Sequence, residues 1–415
     1  NWEATYFDFN EEKILKIAGT AKQLGIELFV LDDGWFGKRN LDNCSLGDWY
    51  PNYEKLPDGI TGLAKKIEAL GLSFGLWFEP EMTNKDSDLF RAHPDWLLAD
   101  LRRNYCHSRN QYVLDFSKPE VVDYVHAQMQ KILREAPVSY VKWDMNRSFS
   151  EVFSNGRGKE VQGQVRHRYI LGVYELYERL HREFPEILFE SCASGGARFD
   201  PGMLYYAPQA WTSDDTDAVE RIKIQYGTSY AYPISSMGSH VSASPNHQVF
   251  RNTPLDTRAN VAYFGTFGYE LDITKLPEEE LKKMKVQIAF MKEHRELIQK
   301  GRFYRLKSPF EGNSSAWQVV SEDGTEALLA YFRVLQPAQG GFERIYLKGL
   351  EELHEYAVQE CFGAEIDCGV HYGDELMYAG FSVSDVSSGV PGVARKQQGD
   401  YFSRLFYLKR EDFHR

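Results

Sequence analysis

The stretch S-Y-V-K-W-D-M-N-R, residues 139–147, decides the fold class of this chain. Its Y-V pair is typical of a β-strand, and a proline two residues before the stretch ends the preceding helix. Alternate side chains of an extended chain point to the same side, so Lys142, Asp144 and Asn146 leave the strand together. A cation, a carboxylate and an amide are costly to place beside a core. The pattern therefore indicates either a strand end whose polar groups reach solvent or a strand end that carries chemistry.

The same pattern, an apolar strand followed by carboxylates, recurs along the chain. These strand-end carboxylates are Asp32 and Asp33, Glu79 and Glu81, Asp115, Asp144, and Asp214 with Asp215. Predicted helices alternate with the strands, and a shortened first strand over residues 2–7 brings the number of strands to eight. Such alternation implies parallel strands joined by right-handed crossovers, which over roughly 300 residues favours a (β/α)8 TIM barrel of the α/β class. Barrel enzymes place their chemistry at the carboxyl ends of the strands.

The sequence changes character after about residue 302. Short segments with strand propensity, separated by turns rich in Gly, Asn and Asp, replace the alternation of strands and helices. This pattern predicts a small antiparallel β-sandwich domain. We therefore expect two domains, a catalytic barrel over residues 1–305 and a β-domain over residues 306–415.

Composition excludes several classes of partner. The 415 residues are 43% hydrophobic and 26% charged, which is typical of a soluble globular protein. The net charge of −12 and the lack of a basic stripe argue against nucleic acid and anionic membranes as partners. No apolar run approaches the ~18 residues of a membrane span, and the five scattered cysteines indicate reduced thiols. We expect a cytoplasmic homo-oligomer.

Two kinds of chemistry use convergent carboxylates. One is divalent metal binding, and the other is glycoside hydrolysis, in which one carboxylate acts as nucleophile or base and one carboxyl group donates a proton. Lys142 argues against a metal ion beside Asp144, because an ammonium group would compete with the ion. The same lysine keeps that carboxylate ionised and can donate to sugar hydroxyls. Glycosidase is therefore favoured and no metal is expected, while a metal enzyme and a sugar-binding barrel without turnover remain open.

Five motifs sharpen this interpretation. They are L-D-D-G-W-F-G at 31–37, L-W-F-E-P-E-M at 76–82, Y-V-K-W-D-M-N-R at 140–147, E-S-C-A-S-G-G at 190–196 and W-T-S-D-D-T-D at 211–217. In this order, over nearly the whole chain, they resemble the α-galactosidases of glycoside hydrolase family 36. The resemblance implies a retaining exo-α-galactosidase that hydrolyses small oligosaccharides of the melibiose and raffinose type by double displacement, without a cofactor.

The resemblance also implies roles for individual residues. Asp144 matches the nucleophile and Asp214 the acid/base, while Asp32 and Asp33 match the pair that holds O4 and O6 of galactose. The remaining sugar-binding positions match Trp2, Trp77, Arg109, Lys142, Asn146, Cys192, Gly195 and Trp211. The family carries a β-rich domain before the barrel, and this chain starts within the first expected barrel strand. We therefore expect it to correspond to the barrel and the C-terminal domain only.

An acid catalyst must hold its proton at neutral pH. For Asp214 this requires burial or a nearby like charge, and Asp215 and Asp217 are candidates for that charge. The same acids also fit the start of a helix. Two further readings of the site remain open, an α-N-acetylgalactosaminidase and a relative that transfers galactose to another sugar.

Overall fold

The computed structural model describes residues 1–337, 342–362, 366–383 and 399–411. The chain divides into two compact units. Unit 1 comprises Asn1–Asp214 and Glu270–Lys285, and unit 2 comprises Asp215–Tyr269 and Val286–Arg415. No helix within the described residues has both the length and the apolar character that a membrane span requires.

Helices and strands alternate in the first two thirds of the chain, and strands dominate the last third. The helices are α1 Trp2–Thr5, α2 Glu11–Leu24, α3 Gly59–Ala69, α4 Asp88–Ala92, α5 Pro119–Glu135, α6 Val165–Glu183, α7 Pro201–Tyr206, α8 Ala218–Thr228, α9 Leu255–Ala262 and α10 Glu278–Lys300. The strands are β1 Leu28–Leu31, β2 Ser73–Phe78, β3 Met82–Thr83, β4 Tyr112–Val113, β5 Tyr140–Trp143, β6 Leu188–Ser191, β7 Gln209–Trp211, β8 Met237–Ser242, β9 Thr266–Glu270, β10 Arg302–Lys307, β11 Ser314–Val320, β12 Glu326–Arg333, β13 Arg344–Ile345, β14 Glu355–Cys361, β15 Ile366–Tyr372, β16 Phe381–Ser382 and β17 Phe402–Arg410.

Five strands of unit 1 form a parallel sheet in the order β1-β2-β5-β6-β7. The register pairs Trp77 with Lys142 and Lys142 with Glu190. Because neighbouring parallel strands end at the same edge of a sheet, the segments that follow β1, β2, β5, β6 and β7 converge there. Trp77, Lys142 and Trp211 lie within these strands. The segments that follow carry the predicted site residues Asp32, Asp33, Asp144, Asn146, Cys192, Gly195 and Asp214.

The helices of unit 1 form where the sequence supplies a cap and an apolar stripe. The Asn10 side chain accepts a hydrogen bond from the backbone N–H of Lys13 at 2.9 Å, and Gly25, at φ 100°, ends α2 in the left-handed region. In α5 the residues Val121, Val125, Met129 and Ile132 share one buried face. These caps and stripes fix the lengths of the helices that flank the sheet.

Unit 2 contains β8 and β9 with their helices and an antiparallel domain. Six strands pair in the order β10-β11-β12-β17-β14-β15, and β13 pairs with β16 in a second, two-stranded sheet. Side chains of both sheets, among them Leu329, Ile345, Phe381 and Phe406, share one buried core. The predicted fold class, an α/β part with a parallel sheet followed by an antiparallel β-domain, is confirmed.

Two of the predicted barrel strands are wrong. Residues 2–5 form helix α1, because the Asn1 carbonyl accepts the backbone N–H groups of Ala4 and Thr5 at 3.0 and 3.1 Å and the Asn1 side chain donates to the Thr5 hydroxyl at 2.9 Å. The strand predicted around Tyr112 is only two residues long and pairs antiparallel with β3. Asp115 after it is fully buried and accepts hydrogen bonds from the backbone and hydroxyl of Ser117, at 3.1 and 2.5 Å.

The end of the predicted barrel also differs. The apolar pattern of residues 257–267 predicts one helix, but α9 ends at Ala262 and β9 begins at Thr266. Thr266 and Phe267 are a β-branched and an aromatic residue, which favour a strand.

Candidate active site

Asp144 lies directly after β5 and is 6% exposed. Its Oδ2 atom accepts the indole Nε1–H of Trp77 at 3.2 Å and the side-chain amide of Asn146 at 2.7 Å. Its Oδ1 atom accepts the backbone N–H of Met145 at 2.8 Å. Three donors on one carboxylate fix its position and stabilise its ionised form. This arrangement suits a nucleophile.

Asp214 follows β7 by three residues and opens to solvent, so a bound molecule can reach it. The indole Nε1–H of Trp211 donates to its Oδ1 atom at 3.1 Å. The protein around the carboxyl group and then the charge of Asp144 raise the pKa of Asp214, while Lys142 and Arg109 lower it by less. The structure thus brings together two carboxyl groups with different environments, which is the pattern of an acid and a nucleophile.

The like charge that acts on Asp214 comes from another strand end. The sequence predicts Asp215 and Asp217 as the source of this charge. Among the charged groups, however, Asp144 has the largest effect on the pKa of Asp214. Asp217 instead caps α8, where its carboxylate accepts the backbone N–H groups of Val219 and Glu220, both at 3.0 Å. The alternative interpretation of this stretch as a helix start therefore holds for Asp217.

Asp32 and Asp33 each bind a cation. Lys142 Nζ donates to Asp32 Oδ2 at 2.8 Å. The guanidinium of Arg39 donates to both oxygens of Asp33, from Nε at 3.0 Å and from Nη2 at 2.8 Å. Burial raises the pKa of Asp33, and Arg39 opposes this effect. Burial would also lower the pKa of Lys142, but neighbouring acids, Asp32 first, raise it well above its usual value. Lys142 therefore remains an ammonium donor beside the aspartate pair.

The loop after β6 packs tightly against the segment that holds Asp214. Cys192 is buried, and burial together with the charge of Asp144 raises the pKa of its thiol well above the usual range, so it stays protonated. Gly195 has φ 82°, and a Cβ atom there would lie 2.7 Å from Cα of Ser213 and 2.8 Å from the backbone nitrogen of Asp214. Only glycine fits this close backbone approach.

A chain of hydrogen bonds connects Arg109 to Asp144, the predicted nucleophile. Arg109 is exposed and has φ 51°, and its Nη1 atom donates to the Ser194 hydroxyl at 3.4 Å. That hydroxyl donates to the side-chain carbonyl of Asn146 at 3.0 Å, and the Asn146 amide reaches Asp144. Ser194 also has a positive φ, 47°. Non-glycine residues in this conformation are strained, and such strain is concentrated at functional sites.

The three predicted tryptophans occupy different places in unit 1. Trp77 is 2% exposed and contacts Asp144 directly. The ring of Trp211 lies 5.7 Å from Nζ of Lys142, within range of a cation–π contact. Trp2 begins α1, and its ring meets the rings of Tyr6 and Phe7 edge-on at 5.1 and 5.2 Å.

Several buried groups around this site have no role that is predicted from the sequence. Arg39 is 1% exposed, although arginine is usually a surface residue. Glu81 is fully buried, and its carboxylate accepts from Arg198 at 2.8 and 2.9 Å and from Trp143 at 2.8 Å. Glu79 is also fully buried. The only signal in the sequence was the position of Glu79 and Glu81 after a predicted strand.

Within the described ranges, no group of three or more His, Cys, Asp or Glu side chains is arranged to hold a metal ion. The carboxylates at the strand ends instead face lysine, arginine and amide donors, as Asp32, Asp33 and Asp144 illustrate. Such donors leave the remaining carboxylate lone pairs suited to neutral hydroxyl groups.

Comparison with known proteins places this site in a family. The family model described as Melibiase matches residues 1–301, and that of the glycosyl hydrolase family 36 C-terminal domain matches residues 314–408. The chain is 57% identical over 409 residues to α-galactosidase AgaA of Geobacillus stearothermophilus, covering 99% of this chain and 54% of AgaA. It is 48% identical over 384 residues to α-galactosidase 1 of Pediococcus pentosaceus, covering 92% of this chain and 51% of that protein.

Solved structures agree. The crystal structure of the family 36 enzyme AgaA superposes with a TM-score of 0.93 at 55% identity, covering 99% of this chain and 55% of AgaA. Crystal structures of AgaA variants hold raffinose or stachyose. The chain spans about half the length of the curated relatives it matches. From the two family models and this similarity, we conclude that the chain belongs to glycoside hydrolase family 36, the family of its α-galactosidase relatives.

Proposed function

We propose that the protein carrying this chain is a retaining exo-α-galactosidase that hydrolyses terminal α-galactosides of the melibiose and raffinose type. The observation that carries the proposal is the pair Asp144 and Asp214, in which the charge of one carboxylate raises the pKa of the other. The raffinose and stachyose complexes of the AgaA variants support the substrate class. The sugar-binding residues named from the family resemblance are part of this proposal.

The two carboxyl groups divide the reaction. An oxygen of Asp144 bonds to the anomeric carbon, the bond from that carbon to the leaving oxygen breaks, and Asp214 gives its proton to the leaving oxygen. In the second step Asp214 takes a proton from water, the water oxygen bonds to the anomeric carbon, and the ester bond to Asp144 breaks. Two inversions give net retention. For this outcome the carboxyl groups should lie roughly 5–5.5 Å apart with the sugar bound, against ~6.5–9.5 Å in an inverting enzyme.

Substrate choice rests on the aspartate pair. Asp32 and Asp33 accept hydrogen bonds from hydroxyls, and Lys142 donates beside them. Glucose carries O4 in the equatorial position, so it would leave part of this pair unpaired in a dry pocket, at a cost of roughly 1–3 kcal/mol. The compact Cys192–Gly195 turn leaves little room for an acetamido group at the 2-position. This favours α-galactosides over α-glucosides and over α-N-acetylgalactosaminides.

Proton NMR of the first-formed sugar tests the stereochemistry. Raffinose is mixed with enzyme and the anomeric signals are followed before mutarotation mixes them. We expect α-galactose to appear first. Initial β-galactose would refute the double displacement.

A pair of variants tests the two roles. Asp144→Asn should lose both steps, whereas Asp214→Gly should keep activity on aryl galactosides whose leaving group needs no proton. Azide should rescue Asp214→Gly as an α-galactosyl azide, because it replaces water in the second inversion, and leave Asp144→Asn unchanged. Identical behaviour of the two variants towards aryl substrates would refute the assignment.

The alternatives differ in measurable rates. Comparable kcat/KM for aryl α-galactoside and aryl α-N-acetylgalactosaminide would replace the proposal with an α-N-acetylgalactosaminidase. Galactosylated sugars as main products at low acceptor concentration would identify a transferase, and binding without turnover would identify a sugar-binding barrel. The domain division 1–305 and 306–415, the homo-oligomer and the cytoplasmic location stay proposals. Size-exclusion chromatography with light scattering tests the oligomer.

A further inference from the structure

We propose that Glu79, the residue after β2, is a positioning residue for Asp144 and holds a proton that it shares with Gln111; this inference rests on the proposed function. Glu79 is fully buried, and the two-step reaction assigns it no role. A buried carboxyl group beside a nucleophile needs either a cation or a proton.

Glu79 contacts the segment that carries Asp144. The backbone N–H of Asn146 donates to Oε1 of Glu79. The side chain of the same asparagine donates to Oδ2 of Asp144 at 2.7 Å. Glu79 thus holds the backbone position from which Asn146 reaches the nucleophile. A change in the charge or length of Glu79 would move Asn146 and, through it, Asp144.

The charges around Glu79 favour its protonated form. The charged groups that face it are Asp144 at the end of β5, and Arg39 and Asp33 in the segment after β1. Arg39 is already bound by both oxygens of Asp33, so its charge is largely offset. Burial and then the charge of Asp144 raise the pKa of Glu79 to about 8, against the opposing effects of the Asn146 N–H and Arg39. Glu79 therefore keeps its proton at neutral pH.

Gln111 offers an acceptor for the proton of Glu79. As the structure places the amide of Gln111, its Nε2–H donates to Oε2 of Glu79 at 2.9 Å. Gln111 is 1% exposed, and among the residues that the structure describes its Oε1 atom has no hydrogen-bond partner. The two ends of a glutamine amide exchange places by a half-turn. Turning Gln111 over brings its Oε1 opposite Glu79, where it accepts the carboxyl proton, so the unpartnered oxygen gains a donor.

Titration of a glutamate-selective label tests the proton directly. The protein carrying this chain is produced with ¹³C-carboxyl glutamate, so that Asp33 and Asp214 contribute no signal, and the carboxyl bands are followed by infrared spectroscopy. We expect one glutamate to lose its proton near pH 8. The signal should be absent in Glu79→Gln and present in Glu81→Gln, a matched buried carboxylate that binds Arg198. If every labelled glutamate is ionised at neutral pH, the inference is overturned, whether or not Glu79→Gln folds.

Kinetics separate positioning from a merely structural role. An aryl α-galactoside with a good leaving group does not need the Asp214 proton, so its kcat/KM reports on the nucleophile. We expect kcat/KM of the parent protein to fall between about pH 6.5 and about pH 9, and the fall in Glu79→Gln to be at least ~3-fold smaller. If kcat/KM of Glu79→Gln is lower than that of the parent protein by the same factor at both pH values, the inference is overturned. A parent protein without α-galactosidase activity would refute the proposed function, while the titration would still judge the state of Glu79.

Discussion

Replacing Gly195 with alanine should displace Asp214, the proposed acid/base, and leave Asp144, the proposed nucleophile, in place. The new Cβ would lie 2.7 Å from Cα of Ser213, where ordinary contacts begin at 3.4 Å, so the backbone must yield by about 0.7 Å. The φ of 82° adds about 1 kcal/mol of strain for any residue with a side chain. Misplacing a reacting group by ~1 Å costs about 100-fold in rate, so we expect kcat/KM for raffinose to fall ~10–100-fold.

The assay compares two leaving groups. In the proposed mechanism raffinose needs the proton of Asp214 and a nitrophenyl galactoside does not, so the loss on the aryl substrate should be at least ~5-fold smaller. The control is Gly19→Ala within α2, where an added Cβ meets nothing within 4 Å and a helical alanine is favoured. Unchanged raffinose hydrolysis in Gly195→Ala would refute the steric argument. Equal losses on both substrates would refute the assignment of Asp214 as acid.

Three further predictions concern stability and reactivity. Arg39→Met should lower the free energy of unfolding by about 3–5 kcal/mol in urea titrations, because it leaves the buried Asp33 carboxylate without a counter-charge. The control Arg91→Met breaks exposed ion pairs and should lower the free energy of unfolding by less than about 1 kcal/mol. The folded chain holds a proton on Glu79 that the unfolded chain releases above pH 4.5, so the free energy of unfolding should fall as pH rises from 4.5 to about 8. The free energy of unfolding of Glu79→Gln should fall less over this range, and equal slopes for the two proteins would contradict the prediction. In the native protein iodoacetamide should alkylate the exposed Cys106 and spare Cys192, whose thiol is buried and protonated; equal labelling by mass spectrometry would contradict it.

The strand ends of unit 1 were predictable because they follow from local patterns. An apolar run that ends in carboxylates, as before Asp32 and Asp144, marks both a buried strand and its carboxyl end, and parallel pairing then brings such ends together. The aromatic residues of segment 2–7 favour the predicted strand, whereas hydrogen bonds between Asn1 and Thr5 favour a helix over residues 2–5. The strand at Tyr112 is set by its pairing with β3, which no local pattern reveals.

The partners of the site residues could not be predicted in the same way. Arg39 binds Asp33 from within a loop, and Gln111 reaches Glu79 across 32 positions in sequence. A loop has no periodicity that would indicate where its side chains point. Gly195 is predicted as a site residue only from the family resemblance, as a sugar-binding position. Its need for glycine comes from the backbone of Ser213 and Asp214, which the sequence places far away.

The hydrogen bonds from Arg109 through Ser194 and Asn146 to Asp144 have a consequence for redesigning the proposed α-galactosidase. A library that varies positions 109 and 194 to admit a bulkier sugar also alters the asparagine that orients the reactive carboxylate. Substitutions along this hydrogen-bonded path therefore change substrate selectivity and turnover together, and their effects will combine non-additively. Libraries that vary positions 109, 146 and 194 jointly should reach new substrates that single-site screens miss.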